Sequence, residues 1–143
     1  MAKIPFTYRE LRKSWQESIQ FSIAEPRKNP HRLLLFYAVE CGLKAVYLKQ
    51  QSKDVIDSSI AGVFLHDINK MCLTMRMGQE YQLPSNLKLG SYKINNQPIP
   101  RGCGPGELNQ VWRYGGSLEG DSDDLILEKS LAKINDWVTK ELS

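Results

Sequence analysis

A few polar positions in this chain combine residue types that carry acid–base and phosphate chemistry. His66 and Asp67 stand side by side. A neighbouring carboxylate can orient an imidazole for proton transfer near neutral pH. The same pair also reads as a helix start, with Asp67 as the cap and His66 packed beside it. Glu40 and Lys44 are spaced i, i+4 in an otherwise apolar stretch that also holds Tyr37. Glutamate N-terminal to lysine is the favourable order for an intrahelical pair. Lys44 could equally snorkel from the edge of the core. Inside a bundle, the two groups would make a polar spot facing a ligand or Arg113. Arg113 and Tyr114 precede a double glycine, Gly115–Gly116. The guanidinium fork suits a phosphate and the phenol ring suits a stacked base. Arg113 is equally suited to pair with Glu119 or Asp121.

Other candidates are weaker. Arg101-Gly-Cys-Gly-Pro-Gly-Glu107 is glycine-rich and enters a helix, so its N–H groups could cradle an anion. Glu107 would compete for that place, and the segment matches neither common phosphate-loop pattern, so a plain turn is the simpler reading. The cysteines are Cys41, Cys72 and Cys103, with no C-x-x-C pair, and the histidines are His31 and His66. A four-ligand zinc site is not expected, nor any other metal or cofactor. An odd cysteine count without a secretory signal points to a reducing compartment and a cytoplasmic location.

The elements that must position these groups fit one domain. The chain has 143 residues, 41% hydrophobic and 24% charged, which suits a soluble globular protein spanning residues 1–143. The longest apolar run, Leu33 to Val39, is far short of the roughly 18 residues that cross a bilayer. Net charge is +3 but uneven: residues 1–53 carry +6, residues 54–116 +1 and residues 117–143 −4. The basic start could attract phosphate backbones, or the two ends could neutralise each other when packed.

Apolar spacing predicts a first helix over about 6–25, closed by Pro26 and Pro30, and a second over about 31–51. The second is apolar on every face in its first half, as a central buried helix is. A third is expected over about 59–78, with Gly62 and His66–Asp67 as places where it would divide and Gly78 as its stop. Four prolines and four glycines make residues 79–106 a long irregular loop, with a small hairpin possible around Asn95–Asn96. A short helix follows over about 107–114. A last one is capped by Asp121 or Ser122, with Leu127, Leu131, Ile134 and Val138 as its seam. Four long helices and one short one predict an all-α, antiparallel up-and-down bundle.

Phe36-Tyr37-Ala38-Val39-Glu40-Cys41-Gly42-Leu43-Lys44-Ala45 resembles the central helix of HEPN domains. Leu65-His66-Asp67-Ile68 is similar to that family's His-Asp-Leu motif, and Trp112-Arg113-Tyr114 to its late Arg-Tyr. The resemblance spans about residues 30–142, with the motifs in the family's order. It implies a helical bundle that often forms homodimers, in a prokaryotic defence or toxin–antitoxin setting. Many such proteins are metal-independent ribonucleases; others bind nucleotides or dock a partner defence or antitoxin protein. The nucleases carry Arg, then about four to six residues, then His, so that one clamps phosphate while the other moves a proton. That spacing is absent here; the nearest approach, Arg27 to His31, is one residue short and crosses Pro30. On the resemblance, Arg113 and His66 are the candidate catalytic residues. Arg113 would stabilise phosphate charge and His66 would carry the proton. Tyr114, Glu40, Lys44, Tyr37 and Asp67 are candidate binding residues for RNA or a nucleotide. The other expectation is a non-catalytic module that dimerises or docks a partner, with the 79–106 segment as its recognition element.

Overall fold

The apolar stretch from Leu33 to Leu48 forms the centre of the molecule. The computed structural model describes residues 4–57, 60 and 64–143. In it, helix α2 (Asn29–Gln50) buries Phe36, Ala38, Val39, Leu43, Ala45 and Leu48 completely. Helix α1 (Tyr8–Ser22) packs along it through Leu11 and Trp15. A capping box starts α1: Thr7 Oγ1 accepts the Glu10 N–H, and the Glu10 carboxylate accepts the Thr7 N–H at 2.9 Å. Two of the helix's orphan donors are thereby satisfied. Strand β1 (Phe6–Thr7) pairs antiparallel with β2 (Val55–Ile56), which sets the start of α1 beside the end of α2.

Gly42 is where α1, α2 and the last helix come closest. A Cβ there would stand 2.7 Å from Val138 Cγ1 and 2.9 Å from Trp15 Cδ1. Both neighbours are buried, so neither can swing away. Gly42→Ala should therefore destabilise the fold by about 1–2 kcal/mol, since overpacking outweighs the gain in helix propensity. A urea melt showing an unchanged or higher midpoint would mean the helices can part at little cost.

The expected all-α, antiparallel up-and-down bundle is not what forms. The fold is mixed α/β, with helices dominant and two antiparallel sheets. Among the described residues three helices are long: α1, α2 and α5 (Asp124–Leu142). The stripe Leu127, Leu131, Ile134, Val138 of α5 is buried, as its spacing predicts. Its cap is Asp123, which accepts the Ile126 N–H, rather than Asp121 or Ser122.

The expected third helix falls partly on residues 58–59 and 61–63, outside the described residues. Beyond Phe64 the chain turns at Leu65, and a seven-residue helix, α3 (Ile68–Thr74), follows. It ends well before Gly78. Arg76 takes a left-handed φ of 57°, and the Met77 and Arg76 N–H groups return to the Cys72 and Leu73 carbonyls. This termination usually uses glycine; here arginine fills the position, and no sequence signal marks it.

Residues 79–106 are not an irregular loop. Strands β3 (Leu87–Ile94) and β4 (Gln97–Cys103) form a hairpin, and β5 (Leu118–Glu119) pairs with the other edge of β3. Asn95 and Asn96 both take positive φ, 51° and 64°, as a two-residue hairpin turn requires. Pro98 and Pro100 are tolerated because β4 is an edge strand. Gly90 sits where the register shifts between Leu89 and Tyr92. The hairpin is followed by a 3-10 turn (Pro105–Glu107) and helix α4 (Leu108–Arg113). No helix among the described residues is long and apolar enough to cross a membrane.

Candidate functional site

Glu40 lies in the middle of α2 and is only 5% exposed. A carboxylate at such a place must be paired. Its Oε2 accepts from Lys44 Nζ at 3.2 Å, one turn along the helix. The same oxygen is 2.8 Å from His66 Nδ1. The functional and the intrahelical readings of Glu40–Lys44 thus meet: the pair exists, and it also holds an imidazole.

His66 arrives on a turn rather than on a helix. Leu65 before it takes φ 49°, uncommon for a branched side chain. Asp67 after it caps α3, accepting the Lys70 N–H at 3.1 Å. Asp67 therefore positions the segment and does not orient the imidazole; Glu40 does that from another helix. The His66 side chain is 54% exposed. With Nδ1 engaged, Nε2 has no protein partner among the described residues.

The hydrogen bond to Glu40 is the main influence on His66 and pushes its pKa above the usual imidazole range. Partial burial opposes it, the Glu40 charge reinforces it, and Lys44 and Arg113 pull it back. A pKa raised on folding means the folded state holds the proton more tightly. The pair's stabilisation is therefore complete below the unfolded value, about 6.5, and is lost as pH rises through the higher folded value. Melting temperatures of the wild type and His66→Ala should converge as pH rises through that window. A gap that widened instead would contradict the pairing.

Arg113 is the last residue of α4. That helix buries Leu108, Asn109, Val111 and Trp112, which leaves Gln110 and Arg113 on its outer face. The helix ends as Gly115 takes φ 83° and the Gly116 N–H donates to the Val111 carbonyl at 2.7 Å. The guanidinium lies 5.6 Å over the ring of Tyr114, which is 75% exposed. Among the described residues Arg113 has no carboxylate partner, and neither Glu119 nor Asp121 pairs with it. Glu40, Lys44 and His66 thus form one bonded group, and Arg113 and Tyr114 a separate stacked pair whose charge is felt at His66. Tyr37 is half-buried, edge-on to Phe36 at 5.9 Å, and no contact links it to either.

A second ionic cluster was not visible in the residue spacing. Glu128 on α5 holds Arg27 through Oε1, with Nη2 at 2.6 Å, and Arg32 through Oε2, with Nε at 3.1 Å. Arg32 also reaches Asp124 at 3.7 Å. Asp124 accepts the Trp112 Nε1 proton at 2.9 Å and the Leu118 N–H at 3.0 Å. Here the basic first third meets the acidic end of the chain. The uneven charge was its only advance signal. Arg27 is thereby committed to structure, and His31 Nδ1 accepts the Lys28 N–H at the start of α2.

The glycine-rich segment is the end of β4 plus a turn. The Glu107 carboxylate accepts the Gly104 N–H at 3.3 Å, so the donor an anion would need is taken. Burial raises the thiol pKa of Cys41 and Cys103, and carries Cys72 up to about 12. None is an activated nucleophile. No three of His, Cys, Asp and Glu gather to hold a metal ion among the described residues. In comparisons with known proteins, the chain matches no protein-family model, no curated protein and no solved structure.

Proposed function

We propose that the Glu40–Lys44–His66 cluster, with Arg113 and Tyr114, binds a phosphate of RNA or of a nucleotide. The observation that carries this is the pairing of His66 Nδ1 with a buried carboxylate at 2.8 Å, in a segment that also feels the charge of Arg113. Glu40 makes His66 hold its proton more tightly and leaves its Nε2 free. An imidazolium and a guanidinium together offer a phosphate two charge-assisted donors. In cleavage the adjacent ribose 2′-hydroxyl would attack phosphorus, giving its proton to water, and the His66 proton would go to the 5′ oxygen that leaves. The HEPN resemblance in the three segments that build the site agrees with this reading. A homodimer or a partner in a defence or toxin–antitoxin system belongs to the same proposal. In place of the missing Arg-to-His spacing, the charge of Arg113 bears on His66.

Labelled tRNA incubated in EDTA with wild type, Arg113→Ala and His66→Ala tests it. The expected result is retention of tRNA on the wild type, with or without cleavage, and weakening in both variants. Undiminished binding by both variants would overturn the assignment.

One observation favours the second reading, a docking module. A groove of about 410 Å3 runs between α1 and α5, bordered by Ile19, Ile23, Leu35 and Leu125. Ile23 and Leu125 are exposed there, 71% and 56%. The hairpin that replaces the expected loop lies elsewhere, so such docking would use the helices.

A further inference from the structure

We infer that the cleft between the β3–β4 hairpin and α4 is a pocket for the base of the nucleotide whose phosphate Arg113 takes. This inference rests on the phosphate reading above and extends it to the rest of the ligand. The cleft has a volume of about 450 Å3, within the range of small-ligand sites, roughly 300–1,000 Å3. Leu89, Pro100 and Val111 give it apolar surface. Arg101, Gln110 and Tyr114 give it polar and aromatic groups, and the Glu107 carboxylate, held by the Gly104 N–H, adds one negative charge at its border. That is the composition a flat heteroaromatic ring requires, with apolar faces and a polar edge.

Two features tie the cleft to the phosphate site, and a third fixes its wall. Tyr114 belongs to both. Arg113 lies over one face of its ring, so the other face is free to stack on a base. The ring is 75% exposed, and stacking would cover it. On the opposite wall, Arg101 is fixed rather than loose. Its Nε donates to the Gly90 carbonyl at 2.8 Å, and its guanidinium lies 5.6 Å over Tyr92. Finally, the Pro105–Glu107 turn that borders the cleft packs against Asp67, the neighbour of His66. A Cβ on Gly106 would stand 3.8 Å from Asp67 Cγ. The cleft and the phosphate site therefore share both Tyr114 and the turn beside His66.

Gln110 supplies the means of reading the base. Its side-chain amide has no protein partner among the described residues, and it carries both donors and an acceptor. The shared chemistry is a nucleotide, base plus phosphate, offered either by an RNA strand or by a free mononucleotide.

The test measures binding of a fluorescent oligoadenylate, the same ribose-phosphate backbone without bases, and AMP as competitor. Wild type, Tyr114→Ala, Tyr114→Phe and Arg113→Ala are compared. The oligoadenylate should bind wild type about tenfold more tightly than the abasic backbone, and Tyr114→Ala should lose about that factor for the oligoadenylate alone. Tyr114→Phe should keep it. Displacement by AMP would identify a free nucleotide as the natural source, and failure of AMP to displace would identify the strand; either supports the cleft. Equal binding with and without bases, weakened by Arg113→Ala, would overturn the base pocket and leave the phosphate site standing. Equal loss for both probes in Tyr114→Ala would also overturn it, since Tyr114 would then act only through Arg113. No binding of any probe would overturn both.

Discussion

Glu128→Ala should lower the unfolding free energy by about 3–5 kcal/mol, the usual cost of removing one partner from a buried ion cluster. Glu128 is 8% exposed and satisfies two guanidinium groups at once. Arg27 also donates to the Ser22 and Ala24 carbonyls, and Arg32 donates to Asn29 Oδ1 at 2.8 Å. These bonds hold the two cations in place after the carboxylate is gone. Only Asp124 would remain near Arg32, at 3.7 Å. Truncation therefore leaves two poorly hydrated charges rather than a simple cavity. The cluster also joins the α1–α2 connection to α5, so its loss loosens the packing of the three long helices. The urea midpoint should fall with little change in slope. Glu17→Ala is the control. Its partner Lys13 lies at 3.9 Å, both side chains are mostly exposed, and the expected change is within about 0.5 kcal/mol. A Glu128→Ala loss as small as the control's would mean the cluster is effectively solvated.

Glu40→Gln should alter binding in a manner that depends on pH. The amide keeps the shape of the carboxylate but not its charge. Without that charge the main support for the His66 proton is gone, so its pKa falls toward or below the usual value. At a pH between the ordinary imidazole value and the raised one, the variant's imidazole is then neutral and one charge-assisted donor is lost. RNA affinity should drop about tenfold to a hundredfold there, the usual range for a hydrogen bond to a charged group. Near pH 5.5 the variant's imidazole is protonated again, and most of the affinity should return. Arg113→Ala should lose affinity at both pH values, because a guanidinium does not titrate in this range. Filter binding at the two pH values separates the roles. A Glu40→Gln deficit that was the same at both would show that Glu40 acts only through structure. The variant also leaves Lys44 opposite a neutral group, with its side chain 17% exposed, so some loss of stability accompanies the change.

The sequence showed most clearly where periodicity and capping agree. The Leu33–Val39 run is apolar on every face and would also suit a buried strand, but its continuation to Leu48 is long enough to favour a central helix, and the α5 seam is buried as spaced. Glu40, Lys44, His66, Arg113 and Tyr114 stood out because polar types in apolar surroundings need a reason to be there. The Glu40–His66 pairing was not legible, since it depends on long-range contact between α2 and the Leu65–Asp67 turn. His66–Asp67 adjacency suggested the wrong carboxylate: Asp67 caps a helix, and Glu40, 26 positions earlier, holds the imidazole. The sheet was hidden by the residues that permit it. Pro98 and Pro100 look like breakers, yet an edge strand accepts them. Gly90 looks like a turn, yet it occupies a register shift. Arg76 ends α3 in a conformation normally given to glycine, so the helix stops before the glycine that marks its end. The Arg27–Glu128–Arg32 cluster left no local pattern, because its members are about a hundred positions apart.

The central claim is that Glu40 holds a proton on His66 and presents it to phosphate beside Arg113. The most direct test follows the His66 ring signals by NMR through a pH titration, with and without a short RNA oligonucleotide. Partnered by Glu40, His66 should titrate above about 6.5 in the free protein, and bound phosphate should raise the midpoint further by stabilising the imidazolium. A His66 midpoint at or below the ordinary value, unchanged by RNA, would contradict the account.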